Sequence, residues 1–185
     1  MAAITAANAR KHGMSRATMY RAAERGELVR IAPGIFLPAD ATAADWEWVE
    51  AASRRPESTI CLTSALAYHD LIDEIPATLD VAVHRGAYTP TGSSAITWHH
   101  FDKATFDLGR EQITIPGTEQ RIGLYSAARS IADAFRLRGA VGYELPLEAL
   151  KEWLRRGGKP AHLVALATQL PRAKGPLLNA LETLT

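Results

Sequence analysis

The chain has 185 residues, 47% hydrophobic and 22% charged, with 21 Lys and Arg against 20 Asp and Glu. This composition buries a core and excludes an intrinsically disordered chain. The single cysteine, Cys61, excludes an internal disulfide and a thiolate-rich zinc centre and fits a reducing cytoplasm. The opening Met-Ala-Ala-Ile-Thr lacks a basic region followed by an apolar one, and no apolar run reaches about 18 residues. The expectation is therefore a cytoplasmic protein, neither secreted nor membrane-spanning. The near-zero total charge hides a segregation: +3 over residues 1–40, −6 over 41–150 and +4 over 151–185. Two basic ends around an acidic middle suit a chain that turns some faces to phosphate and another to a different partner.

The first forty residues hold dense local signals. Thr5 is placed to cap a short helix ending at Gly13, and Ser15 to cap a second helix that runs to Arg25 before Gly26 stops it. The apolar runs Leu28 to Ile31 and Ile35 to Leu37, split by Ala32-Pro33-Gly34, predict a small hairpin. Helix, tight turn, helix and hairpin together specify a winged helix-turn-helix.

Pro38-Ala39-Asp40 marks the joint to a second module. A helical pattern starts at Thr42 and ends at Arg55, before Pro56. An Ala-rich helix is expected over 60–71 with Thr63 near its cap, then strands over 79–83, 95–101, 112–115 and 121–125 and a helix over 126–137. The last part predicts helices over 147–156, 161–170 and 177–184, separated by Gly157-Gly158-Lys159-Pro160 and by the stretch from Pro171 to Pro176. The expected fold class is α+β. Residues 1–40 form the winged domain; residues 41–185 form a larger domain with a small mixed or antiparallel sheet and a helical tail.

The chemistry concentrates on the second helix, Ser15 to Arg25. A helix that enters the major groove needs short polar and cationic residues near its N-terminus and small apolar residues behind them. With Met19, Ala22 and Ala23 inward, Arg16, Ala17, Tyr20 and Arg21 turn outward and Thr18 lies at the flank. Arg16 is placed to reach guanine or phosphate, and the Ser15 hydroxyl either caps the helix or binds a phosphate. Arg25 and Arg30 complete the candidate DNA-binding set, Arg30 from the wing. Lys151, Arg155, Arg156, Lys159, Arg172 and Lys174 form a possible second basic patch, with a solvated helix face as the plain alternative.

Three stretches resemble a known family. Thr5 to Arg21 with Arg25-Gly26-Glu27-Leu28-Val29-Arg30 and Pro33-Gly34-Ile35-Phe36 is similar to the N-terminal domain of AbiEi-type antitoxins of abortive-infection toxin-antitoxin systems. Leu62 to Leu71, Glu74-Ile75-Pro76 and Ala128 to Arg136 resemble that family's C-terminal domain, as does the tail with Leu147-Glu148-Ala149-Leu150 and Arg155-Arg156-Gly157. The resemblance implies a type IV antitoxin that represses its own operon by binding inverted repeats in double-stranded DNA. It also implies counteraction of a nucleotidyltransferase-like toxin, directly or only functionally, with a basic C-terminal face adding DNA contacts.

Other features point elsewhere less strongly. Adjacent His99 and His100 on a strand face opposite ways and do not share one metal ion easily. His69-Asp70 and Asp73-Glu74 lie at a helix end, where polar residues usually meet water. Thr91-Gly92-Ser93-Ser94 resembles the start of a nucleotidyltransferase site, yet no closely spaced carboxylates follow. Cys61 reads as a small buried hydrophobe, and Leu150, Trp153 and Leu154 as core. No P-loop, dinucleotide fingerprint or serine elbow is present. The expectation is no catalytic site, cofactor or metal, and two copies of the protein per operator. The rivals are a stand-alone transcription regulator with a sensory domain and no toxin partner, and an enzyme, such as a kinase, that modifies the toxin.

Overall fold

The computed structural model describes residues 3–41 and 45–184. The fold is α+β, with two separate sheets and helices packed against each. The predicted start of a helix at Thr42 lies outside the described residues.

The N-terminal sheet is antiparallel, in the order β1 (Ile4–Thr5), β3 (Ile35–Pro38), β2 (Leu28–Ala32), with α1 (Arg16–Glu24) between β1 and β2 in the chain. The expected helix from Thr5 to His12 is not formed: Thr5 pairs with Ile35 as strand, and only a 3-10 turn over Ala9–His12 remains. Asn8 explains the change. Its side-chain oxygen accepts from the Thr5 amide at 2.6 Å and its side-chain nitrogen donates to the Ala3 carbonyl at 2.7 Å. Those bonds give the backbone an alternative to a helical ladder, which Asn side chains commonly do. Gly13, at φ 67°, takes the left-handed turn out of the 3-10 segment.

Side chains alternate across this sheet. Ile4, Leu28 and Phe36 face Met19 and Ala22 of α1, whereas Ala3, Ala32, Ile35 and Leu37 face the rest of the molecule. The second group joins one apolar cluster with Val49 and Ala52 of α2 (Trp46–Arg54), Ile60 of β4 (Thr59–Ile60), and Val81, Ile122 and Leu124 of the larger sheet. The small sheet is thus buried on both faces.

The larger sheet has the order β6 (Ile96–Phe101), β5 (Leu79–His84), β4, β8 (Arg121–Tyr125), β7 (Arg110–Thr114). It is mixed: β5–β6 and β4–β8 are parallel, β4–β5 and β7–β8 antiparallel. The expected helix over 60–71 is shorter. Thr59 and Ile60 are the central strand, and α3 (Leu62–Tyr68) starts after Cys61, not near Thr63. Gly123 admits no side chain, because a Cβ there would meet Thr59 Oγ1 and the Arg110 guanidinium.

Helix α4 (Ala127–Arg136), capped by Ser126 Oγ on the Arg129 amide, is buried over most of its length. Around it pack α3, α5 (Arg138–Val141), α6 (Glu144–Arg155), α7 (Pro160–Thr168) and α8 (Lys174–Leu184). Its interior polar residues are satisfied mainly by one another. Asp133 accepts from Arg129 Nε at 2.7 Å and from Arg136 Nη2 at 2.8 Å, while Arg129 Nη1 donates to the carbonyls of Thr105 and Leu108. The Arg129 guanidinium lies 4.3 Å from the Tyr125 ring centroid. Its Nη2 has no hydrogen-bond acceptor, and the ring face supplies partial compensation. Among the described residues no helix is long and apolar enough to cross a membrane.

Candidate nucleic-acid interface

Helix α1 begins where Ser15 Oγ accepts the Thr18 amide at 3.1 Å, and the Ser15 and Thr18 hydroxyls sit 2.8 Å apart. Both hydroxyls therefore serve the cap. Met19 is fully buried and Ala22 nearly so, which fixes the rotation of the helix and leaves Arg16, Ala17 and Arg21 exposed.

Tyr20 links this helix to the sheet. Its ring stands edge-on to Phe36 at 5.2 Å between centroids. The Arg16 guanidinium lies 6.0 Å and that of Arg30 5.6 Å from the Tyr20 ring centroid. Arg30 pairs opposite Phe36 in the β2–β3 register, so its side chain emerges on the face that carries α1. Helix and strand thus present two cations around one aromatic ring, and cation–π contact limits the orientations each arginine samples.

Among the described residues, Arg16, Arg21 and Arg30 have no carboxylate within ion-pair distance. Arg21 is held only by a long 3.4 Å bond from Nε to the Ala17 carbonyl. Arg25 differs. Its guanidinium bonds both carboxylate oxygens of Glu27, at 2.6 and 3.0 Å, which raises its own pKa and lowers that of Glu27. Arg10 and Lys11, exposed on the 3-10 turn leading into α1, add two cations that motif matching overlooked. Runs of basic residues before a capped helix were the available signal.

The hairpin tip is less open than a free wing. Ala32 and Pro33 line a hollow together with Trp46, Glu47 and the Gly92–Ser94 loop. Ser93 Oγ donates to Glu50 Oε2 at 3.2 Å in the same region, so this glycine-serine loop is tied to α2.

The second basic patch is broken up. Glu152 Oε1 and Oε2 accept from Arg155 at 2.6 and 2.7 Å, and Oε1 accepts from Arg156 at 2.5 Å. These bonds hold the Glu152 carboxyl down at about 2. Arg156 also donates to the carbonyls of His69 and Asp70, which pins α6 to the loop after α3. Lys151, Lys159, Arg172 and Lys174 remain exposed, on α6, before α7, between α7 and α8, and at the start of α8.

The remaining candidates find ordinary partners. His99 Nε2 is 2.8 Å from Asp80 Oδ1 and His100 Nε2 is 2.7 Å from Thr89 Oγ1. Among the described residues no cluster of three or more His, Cys, Asp or Glu side chains is placed to hold a metal. His69 does not simply meet water: its Nε2 lies 2.8 Å from the Tyr125 carbonyl. Cys61 is fully buried, and burial pushes its thiol well above the ordinary range, away from nucleophilic chemistry. Neither protein-family models nor curated proteins give a match to this chain.

Proposed function

We propose that the chain is a DNA-binding autorepressor and antitoxin whose N-terminal unit is a winged helix-turn-helix with its first helix reduced to a 3-10 turn. One observation carries the DNA-binding part: a Ser-capped helix exposes Arg16 and Arg21, with Arg30 beside them, and among the described residues no carboxylate lies within ion-pair distance of any of the three. Exposed cations held against an aromatic ring at a helix start suit phosphate and guanine recognition. A single small module makes few base contacts, so two copies bind a repeated operator. The antitoxin part rests on the sequence resemblance alone: the protein opposes a nucleotidyltransferase-like toxin.

The test is fluorescence anisotropy on a duplex that covers the region upstream of the gene. Arg16→Ala with Arg21→Ala is expected to weaken binding by roughly tenfold or more and to make the log–log salt slope shallower by about two, one per lost phosphate contact. Unchanged affinity and slope would remove the assignment. Co-expression with the adjacent gene tests the antitoxin half, since growth rescue is expected there and its absence leaves a stand-alone regulator.

A further inference from the structure

We propose that the groove between α6 and α8 receives an amphipathic helix of a partner protein that carries carboxylates beside its apolar stripe. The proposal uses no residue of α1 or of the small sheet, which carry the DNA-binding reading.

Two adjoining hollows, of about 610 and 540 Å³, share Arg138, Tyr143, Gly175 and Pro176 and form one continuous groove. One wall is a face of α8 at helical spacing, Pro176, Asn179, Ala180, Thr183 and Leu184. The other wall is Pro146, Leu147 and Lys151 of α6, with Phe135 of α4 beside them. A trough of aliphatic side chains between two helices takes the apolar stripe of a third, in the manner of helix-in-groove recognition. Tyr143 stands at the rim with 69% of its surface exposed.

Charge selects the occupant. Among the described residues the groove is lined by Arg136, Arg138, Lys151 and Arg172 and by no Asp or Glu. Arg136 is committed to Asp133, and Arg138 donates to the Phe135 carbonyl while lying over the Tyr143 ring. Lys151 and Arg172 are exposed, with no acidic partner among the described residues. An acidic flank on the incoming helix meets both cations. Duplex DNA fits less well, because its phosphates would cover Leu147, Pro176 and Leu184 without burying them in apolar contact.

The experiment is a selection on the full-length protein from displayed helical peptides with a fixed leucine stripe and randomised flanks. Lys151→Glu with Arg172→Glu serves as the counter-bait, and both substitutions are on exposed side chains. Expected survivors carry net negative flanks and bind the wild type about tenfold or more tighter than the counter-bait. Asn179→Trp, which fills the exposed wall of α8, is expected to abolish that binding while the circular dichroism spectrum and melting curve stay unchanged. Survivors with neutral or basic flanks, or none that discriminate between the two baits, overturn the proposal. Ultraviolet crosslinking of random duplex DNA at Tyr143, relieved by the same charge reversals, overturns it in favour of nucleic acid.

Discussion

Asp133 holds two guanidiniums at once, one of them fully buried, and is the only carboxylate among the described residues that pairs with either. Asp133→Asn removes the charge and leaves Arg129 an uncompensated cation in the core. Breaking a buried pair this way costs about 3–5 kcal/mol, and calorimetry is expected to show a melting temperature lower by roughly 10 °C. A drop of only a degree or two would mean that the Thr105 and Leu108 carbonyls and the Tyr125 ring sustain Arg129 without the carboxylate charge. Glu152 is the exposed counterpart. Its folded value of about 2 lies below the ordinary 4.5, so its contribution is complete above 4.5 and fades as pH falls towards 2. Glu152→Gln is expected to lower the melting temperature slightly at neutral pH and to flatten its fall over that acid window, the two proteins converging near pH 2. The effect is small because water screens the pair. The i, i+4 spacing of Arg129 and Asp133 was visible in the sequence, but a helix pair looks the same whether it ends in solvent or in the core.

Helix α1 shows what a short element owes to its ends. Nine residues are too few to be stable alone, its first turn has no acidic residue, and the Ser15 hydroxyl accepts the Thr18 amide at that end. Ser15→Ala is expected to cost about 1 kcal/mol and to speed amide exchange at Thr18 and its neighbours, with Ser15→Asp restoring protection. Equal exchange in all three proteins would show that packing on Phe36 alone orders the helix. The elements with strong local patterns were legible in sequence, among them this helix, the β2–β3 hairpin, β5, β6, β8 and α4. Two-residue strands were not. Ile4–Thr5 and Thr59–Ile60 are too short to show alternation, and their extended form comes from partners distant in sequence, Ile35–Phe36 for one and Val81–Ala82 with Gly123–Leu124 for the other. Of the candidate site, the positions on α1 follow from periodicity, while the pairing of Arg25 with Glu27 and of Arg155 and Arg156 with Glu152 depends on rotamers that spacing leaves open.

At the scale of the molecule, the local signals of the first forty residues and the stretch Pro38-Ala39-Asp40 predict two modules with a joint between them. The packing adds that Ala32, Ile35 and Leu37 belong to the same apolar cluster as Val49, Ile60 and Val81. A chain that begins at residue 41 loses that wall. It is expected to elute as aggregates in size-exclusion chromatography and to lack a cooperative near-ultraviolet transition, as exposed core surface predicts. A monomer with a sharp melt would instead establish residues 41–185 as self-sufficient.

On the DNA-binding reading proposed above, that shared wall would also govern how the arginines on α1 search for a target. A gripping element on a loose leash samples many angles and loses that freedom when it docks, whereas one fused to its carrier arrives already aimed. Here Met19 and Phe36 lock the helix to the small sheet, and Ile35 and Leu37 lock the sheet to everything else. If the protein binds repeats as proposed, capture would be a collision of whole bodies, and two copies on neighbouring repeats would approach only as closely as their bulk permits.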